Sequence, residues 1–360
     1  MTGRYHRQQI LTHFGAAGQQ RLAEARVLVI GAGGLGCPAL QYLAGAGVGK
    51  LGIVDGDRVS LSNLHRQPLF ATADVGALKA EVAAERMRAL NPTIQLQAYS
   101  VYLDEQNAEE LLAEYDYVLD GSDNFATRYL INDACVLAQK PLVYGAVSQY
   151  EGQVAIWNVP DTDGNCLNYR DLFPEAPRSG EIPNCSEAGV LGVLPGIIGA
   201  MQAAELIKLI TGIGRPLINR LLTYSLLNQE SYILDLASHP DSKALLPADW
   251  SAFRQGNYGL PCASPIAELD VAELQRMLAE EDLQLVDVRE VGEEPAISVW
   301  PHQRIPLSVL PAYWDNLSDQ PVVFICQSGI RSLKAATDYR AAKPGARVYS
   351  LRGGVYSLEN

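Results

Sequence analysis

The chain has 360 residues, 48% of them hydrophobic and 19% charged, with a formal net charge of −13 at pH 7. That length holds two domains with a core each, and the negative balance argues against nonspecific attraction to nucleic acid or anionic lipid. Cys37, Cys135, Cys166, Cys185, Cys262 and Cys326 show no paired spacing; with no basic start followed by an apolar run to mark export, they read as reduced thiols of a cytoplasmic protein.

The spacing predicts strands at 25–31, 50–55, 94–100, 115–121 and 140–147, short apolar runs rich in β-branched residues and tyrosine. Helix-period segments lie between them at 36–47, 78–90, 107–115 and 125–138. This alternation predicts an α/β fold, a Rossmann-like doubly wound and mostly parallel sheet covered by helices. Residues 151–158 and 219–236 read as antiparallel strands appended to it. The apolar run 188–210 carries Pro195, Gln202, Glu205 and Lys208, and reads as a buried helix rather than a membrane span. Periodicity fades from 238, so a first domain is expected over 1–240 and a linker over 241–263. A small α/β domain follows over 264–360, with a helix at 265–278, strands at 283–289 and 321–327, a helix from Ile330 and a strand at 346–351.

Gly31, Gly33 and Gly36, with Gly34 among them, form a G-x-G-x-x-G after a strand and at the opening of a helix. The first glycine permits the tight turn, the second lets backbone approach phosphate, and the third lets helix and strand pack. The helix N-terminus offers N–H groups and a positive dipole end to the anion. Asp55 closes the next strand 24 residues past Gly31, where a carboxylate would take the ribose hydroxyls. Alone, this turn reads as a dinucleotide oxidoreductase. Asn63 and Arg66, then Lys79 at the head of the next helix, then Asp120, Asp123 and Asn124 at the end of a later strand, change that reading. Strand ends converge on one crevice, where Arg66 and Lys79 would neutralise a polyphosphate and Asp123 would hold Mg²⁺. A triphosphate shedding pyrophosphate needs that cationic help.

"RYHRQQIL", "GAGGLG", "VDGDRVSLSNLHRQ", "GALKA", "DGSDNFATRYLINDAC" and "CSEAGVLGVLPGIIG" together resemble the ThiF/MoeB/HesA family, bacterial relatives of the ubiquitin-activating enzymes, over residues 4–236. The resemblance implies binding of ATP and Mg²⁺ and adenylation of the C-terminal glycine of a small ubiquitin-fold sulfur carrier. It implies that Asp55 holds the ribose, Asn63, Arg66 and Lys79 the phosphates, and Asp123 the metal ion. Asp57, Gln67 and Asn124 belong to the same binding set. Arg7 matches an arginine that reaches into the other subunit's site in a homodimer. Cys185 matches a crossover-loop cysteine that bonds covalently to the carrier in several members, and a helix capped by Asn184 or Ser186 would favour its thiolate. The family's zinc pairs are replaced, with Asn168 and Asp171 in the first and no second pair in 235–243, so no zinc is expected and the packing of 160–180 against 235–245 is left open.

Toward the end, "LVDVRE" (285–290), "CQSGIRS" (326–332) and "LRGGVYSL" (351–358) resemble a rhodanese domain, shortened where "AISVWPHQRIPLS" replaces the usual middle. Backbone N–H groups of 327–331 curling around Cys326, the charge of Arg331 and the next helix N-terminus would each favour an anionic sulfur. The expected function is carboxylate activation at one end and a Cys326 persulfide at the other. Together they make a carrier thiocarboxylate for thiamine or molybdopterin biosynthesis, with Cys185 assisting and a donor such as a cysteine desulfurase supplying sulfur. The alternatives are an NAD-dependent oxidoreductase fused to a rhodanese, and an ATP-binding regulatory relative without sulfur transfer.

Overall fold

The computed structural model describes residues 3–174, 189–256, 258, 266–295, 297–317, 320–343 and 345–358. They fall into two compact units, Met1–Leu260 and Pro261–Asn360.

In the first unit, β1 (Arg26–Ile30), β2 (Lys50–Val54), β3 (Gln95–Tyr99), β4 (Tyr117–Asp120) and β5 (Leu142–Ser148) pair in parallel in the order β3-β2-β1-β4-β5. β6 (Glu151–Trp157), β7 (Arg220–Ser225) and β8 (Glu230–Asp235) continue the sheet antiparallel. All but the first residue of "RVLVI" in β1 are buried, as expected of a parallel strand covered on both faces. Helices Gly36–Ala46, Lys79–Leu90 and Val193–Thr211 close one core, and Ala108–Ala113 and Phe125–Leu137 the other. Val193–Thr211 is long and apolar enough to cross a membrane, yet Ile198, Ala203 and Leu206 are buried. Its Gln202 donates to the carbonyls of Asp120 (2.7 Å) and Val143 (3.3 Å) inside the sheet.

The stretch expected as a linker is structured through its first half. A 3-10 turn, Ser242–Leu245, leads into a helix, Trp250–Gln255. Phe253 is fully buried there, with Trp250 meeting it edge-on and Tyr258 at a tilt. The hydroxyl of Tyr258 donates to Asp133 (2.9 Å), which Arg170 also holds. Two aromatics and an acceptor were enough to dock a segment whose periodicity is too short to read.

Among the described residues, one carboxylate ties the segment before 175 to the start of the following stretch at 238–242. Asp171 closes a capping box with Asn168, and its Oδ1 accepts from the Ser238 hydroxyl (2.9 Å), the His239 N–H (2.9 Å) and the Ser242 hydroxyl (2.7 Å). Asp171→Ala is therefore expected to destabilise the full chain by about 1.5–3 kcal/mol, the worth of hydrogen bonds to a charged group, read as a shift of the urea midpoint at unchanged slope.

In the second unit, β9 (Ala267–Leu269), β10 (Gln284–Asp287), β11 (Gln303–Arg304), β12 (Val322–Ile325) and β13 (Val348–Leu351) form a parallel sheet in the order β11-β10-β12-β13-β9. The helix expected over 265–278 begins only at Val271. Asp270 stops it, accepting from Glu273 N–H (2.8 Å) while Glu273 accepts from Asp270 N–H (2.8 Å). That reciprocal cap leaves 267–269 free to pair with β13.

Candidate active sites

The first site lies at the C-terminal ends of β1, β2 and β4, where the strand order changes direction and a crevice must open. Gly31 leaves β1 at φ +91°, and a Cβ there would stand 2.8 Å from the Gly121 carbonyl oxygen after β4. The two loops thus meet backbone to backbone. A Cβ on Gly36 would stand 1.9 Å from the Gly31 oxygen, so Gly36 serves helix packing and does not line the cleft, while Gly31, Gly33 and Gly34 do.

Asp55 follows β2, and its carboxylate accepts from Ala32 N–H and Asp57 N–H, both at 2.8 Å. Burial pushes its carboxyl up, against the opposing pull of Lys79 and these donors. Lys79, only 4% exposed, donates through Nζ to Asp57 Oδ2 (2.7 Å) and through its backbone N–H to the Asp57 carbonyl (3.0 Å). Tyr102 donates its hydroxyl to the other oxygen, Asp57 Oδ1 (2.6 Å). Burial alone would raise Asp57, but the hydrogen bonds from Lys79 and Tyr102 prevail and hold it below the ordinary carboxylate value. In return, the bond to Asp57, with burial second, pushes the Tyr102 phenol up to about 12.

Opposite, a 3-10 turn (Leu61–Asn63) presents Arg66 and Gln67. Asn63 shapes this turn with its carbonyl, which accepts from both their N–H groups at 3.0 Å, and it does not line the cleft. Arg66 Nη1 donates to the Ser62 carbonyl (3.1 Å) beside His65 (2.9 Å). Asp123 and Asn124 border the cleft after β4, with Asn124 also capping helix Phe125–Leu137 by accepting from Thr127 N–H (2.9 Å). Arg7 is exposed on the short helix His6–Gln9, outside its own chain's cleft.

The residues fit a nucleoside triphosphate. A turn that excludes Cβ atoms leaves room for phosphate oxygens, Asp55 stands beside it on the Ala32 N–H, and the donor Gln67 Nε2 would lie 3.7 Å from a Cβ at Gly33. Among the described residues no group of three His, Cys, Asp or Glu gathers for a metal. Asp123 could hold Mg²⁺ only in company with phosphates, the usual manner of that ion. Tyr102, Ser122 and Thr127 also line the cleft. Sequence reading missed Tyr102 because it lies outside a recognisable motif, and it passed over Ser122 and Thr127, inside "DGSDNFATRYLINDAC", because their neighbours carry the charge.

Cys185, with the expected caps Asn184 and Ser186, lies outside the described residues. Cys37 is fully buried, and burial pushes its thiol up to about 12, consistent with a core role.

The second site is the loop after β12. Cys326 is fully buried. Among the described residues its sulfur meets one backbone donor, the Gly329 N–H (3.2 Å), and lies 3.4 Å from the Ser332 hydroxyl; the fuller ring of N–H groups expected from 327–331 is not present. Gly329 has φ +90°, and a Cβ there would stand 3.0 Å from Gly353 N. The "RGG" turn closes over the loop, with Val355 N–H donating to the Cys326 carbonyl (2.8 Å). Arg331 does not hydrogen-bond the sulfur: both its Nη atoms lie 2.6 Å from the Glu293 carboxylate. That pairing is the first cause holding Glu293 down at about 2. Beneath the loop, the fully buried Arg289 pairs with Asp287 (2.9 Å) and donates to Gln327 Oε1 (3.0 Å).

The ThiF family profile matches residues 5–245, and the rhodanese-like domain profile matches 270–360. The sulfur carrier protein adenylyltransferase of Thermus thermophilus is 53% identical, covering 66% of this chain and 88% of its own length. The probable adenylyltransferase/sulfurtransferase MoeZ of Mycobacterium tuberculosis is 40% identical over 98% of this chain and 91% of its own. The crystal structure of E. coli MccB with ATP superposes with a TM-score of 0.56 at 22% identity, covering 66% of this chain and 73% of the other. At that identity the likeness speaks to the fold alone.

Proposed function

This chain belongs to the ThiF family and ends in a rhodanese-like domain, and from that premise we propose that it adenylates a ubiquitin-fold sulfur carrier and then places sulfur on it. It is an adenylyltransferase with sulfurtransferase activity, as its relatives at 40% identity over nearly the whole chain are named. One observation carries the reading: the glycine turn, Asp55, Arg66, Gln67, Lys79 and Asp123 line a single cleft.

The carrier's terminal carboxylate, ending in Gly-Gly, attacks the α-phosphorus of ATP. The bond to the bridging oxygen breaks and pyrophosphate leaves. The nucleophile is already an anion, so no base is needed and positioning and charge stabilisation supply the rate. Asp55 takes the ribose, the turn and Gln67 the phosphates, Arg66 and Lys79 the negative charge that moves onto pyrophosphate. Mg²⁺ would be held by Asp123 and would neutralise the same phosphates. In the second step a Cys326 persulfide attacks the acyl-adenylate carbonyl and AMP leaves, giving an acyl disulfide. A thiol, with Cys185 assisting, attacks the Cys326 sulfur and releases the thiocarboxylate, and a second thiol reduces the mixed disulfide left behind to free the Cys326 thiol. A persulfide donor such as a cysteine desulfurase reloads Cys326. The setting is the cytoplasm, the assembly a homodimer in which Arg7 serves the partner's cleft, and the product feeds thiamine or molybdopterin synthesis.

The direct test is exchange of radioactive pyrophosphate into ATP with a purified carrier of the same cell. Exchange that requires the carrier and is lost when its last glycine is removed is expected. Nicotinamide binding without exchange would instead favour the oxidoreductase reading.

A further inference from the structure

Asp57 stands in the nucleotide cleft with both oxygens engaged, one by Lys79 and one by Tyr102. Lys79 is the cation assigned to the phosphates, so it must give up part of its bond to Asp57 when ATP arrives. Asp57 would then lose its charged partner in a half-buried place, at a cost that opposes ATP binding. The second donor limits that cost.

Tyr102 is built to stay where it is, although 65% exposed. It follows β3, the edge strand beside β2. Its carbonyl accepts from Asn107 Nδ2 (2.8 Å), and Asn107 Oδ1 in turn accepts from the Asp104 N–H (3.0 Å). Leu103, next in the chain, is buried in the core. The ring lies against Gly56, where a Cβ would stand 2.8 Å from it. That closeness is what brings the hydroxyl to Asp57, between the ribose carboxylate and the lysine.

We propose that Tyr102 is a positioning residue for adenylation: its hydroxyl holds Asp57 so that Lys79 can leave for the triphosphate. The idea rests on the adenylation reading and on Lys79 as its phosphate cation. It assigns Tyr102 to the polyphosphate end of the reaction through Lys79, although the ring itself borders the ribose end of the cleft.

The test is calorimetric binding of ATP and of AMP to the full chain as wild type, Tyr102→Phe, Lys79→Ala and the double variant. Phenylalanine keeps the ring on Gly56 and removes only the hydroxyl. ATP affinity is expected to fall about five-fold in Tyr102→Phe, with AMP affinity unchanged, which also reports an intact fold. In the Lys79→Ala background, Tyr102→Phe should change neither, because the residue it acts through is gone. Equal losses for ATP and AMP would overturn the proposal and make Tyr102 a ribose-side contact. Unchanged ATP affinity in Tyr102→Phe alongside a loss in Lys79→Ala would overturn it and leave the adenylation reading standing. No loss in either variant would remove Lys79 from the phosphates and take both ideas with it.

Discussion

Replacing Cys326 by serine is expected to leave carrier-dependent ATP–pyrophosphate exchange within about two-fold of wild type while cutting thiocarboxylate formation by at least about 100-fold. The two activities separate because the groups assigned to the first step all belong to the unit Met1–Leu260 and Cys326 to Pro261–Asn360. Serine fits the place of the fully buried cysteine, and Gly329 N–H can donate to its oxygen as it does to sulfur. What serine cannot do is hold sulfane sulfur, because the thiolate is the acceptor of the transferred atom. The readout is the mass of the carrier's C-terminus after reaction with ATP and a persulfide donor. Undiminished thiocarboxylate would mean that sulfur arrives by another route, as in the regulatory alternative.

The second large effect is expected from Lys79→Ala, a fall in kcat/KM for exchange of about 100- to 1,000-fold, the usual cost of removing one donor that meets charge developing in the transition state. The fold should survive, because the Tyr102 hydroxyl still donates to Asp57 once the lysine is gone. The same variant carries a pH signature. Burial raises the Asp55 carboxyl and Lys79 opposes that rise, so removing the lysine raises Asp55 further. A ribose carboxylate that protonates at higher pH moves the acid limb of ATP binding upward in the variant. An exchange rate within a few-fold of wild type would take Lys79 out of the phosphate site, and an acid limb moved downward would undo its pairing with Asp55.

Two features of the small unit depend on partners far along the chain. Ala267–Leu269 resembles the first turn of the helix that follows it, since short apolar stretches carry no period of their own. The Asp270 cap and pairing with β13 decide against that. Arg331 keeps its charge near the Cys326 sulfur, yet its hydrogen bonds go to Glu293, 38 residues upstream. In both places a partner distant in the chain completes what the local pattern leaves open.

By itself the amino-acid order determined the alternation of strands and helices, the glycine turn with its carboxylate and cations, and the likeness to two known families. These follow from periodicity and from spacing within single strand–turn–helix units, where neighbours along the chain are neighbours in space. Only the tertiary structure decided which side chains share partners: Tyr102 with Asp57 across 45 positions, Asp171 with Ser238 across 67, and Lys79 with Asp57 across 22. Such bonds depend on which loops the sheet order sets side by side, and a side chain's hydrogen-bonding capacity does not specify the distant residue that will satisfy it.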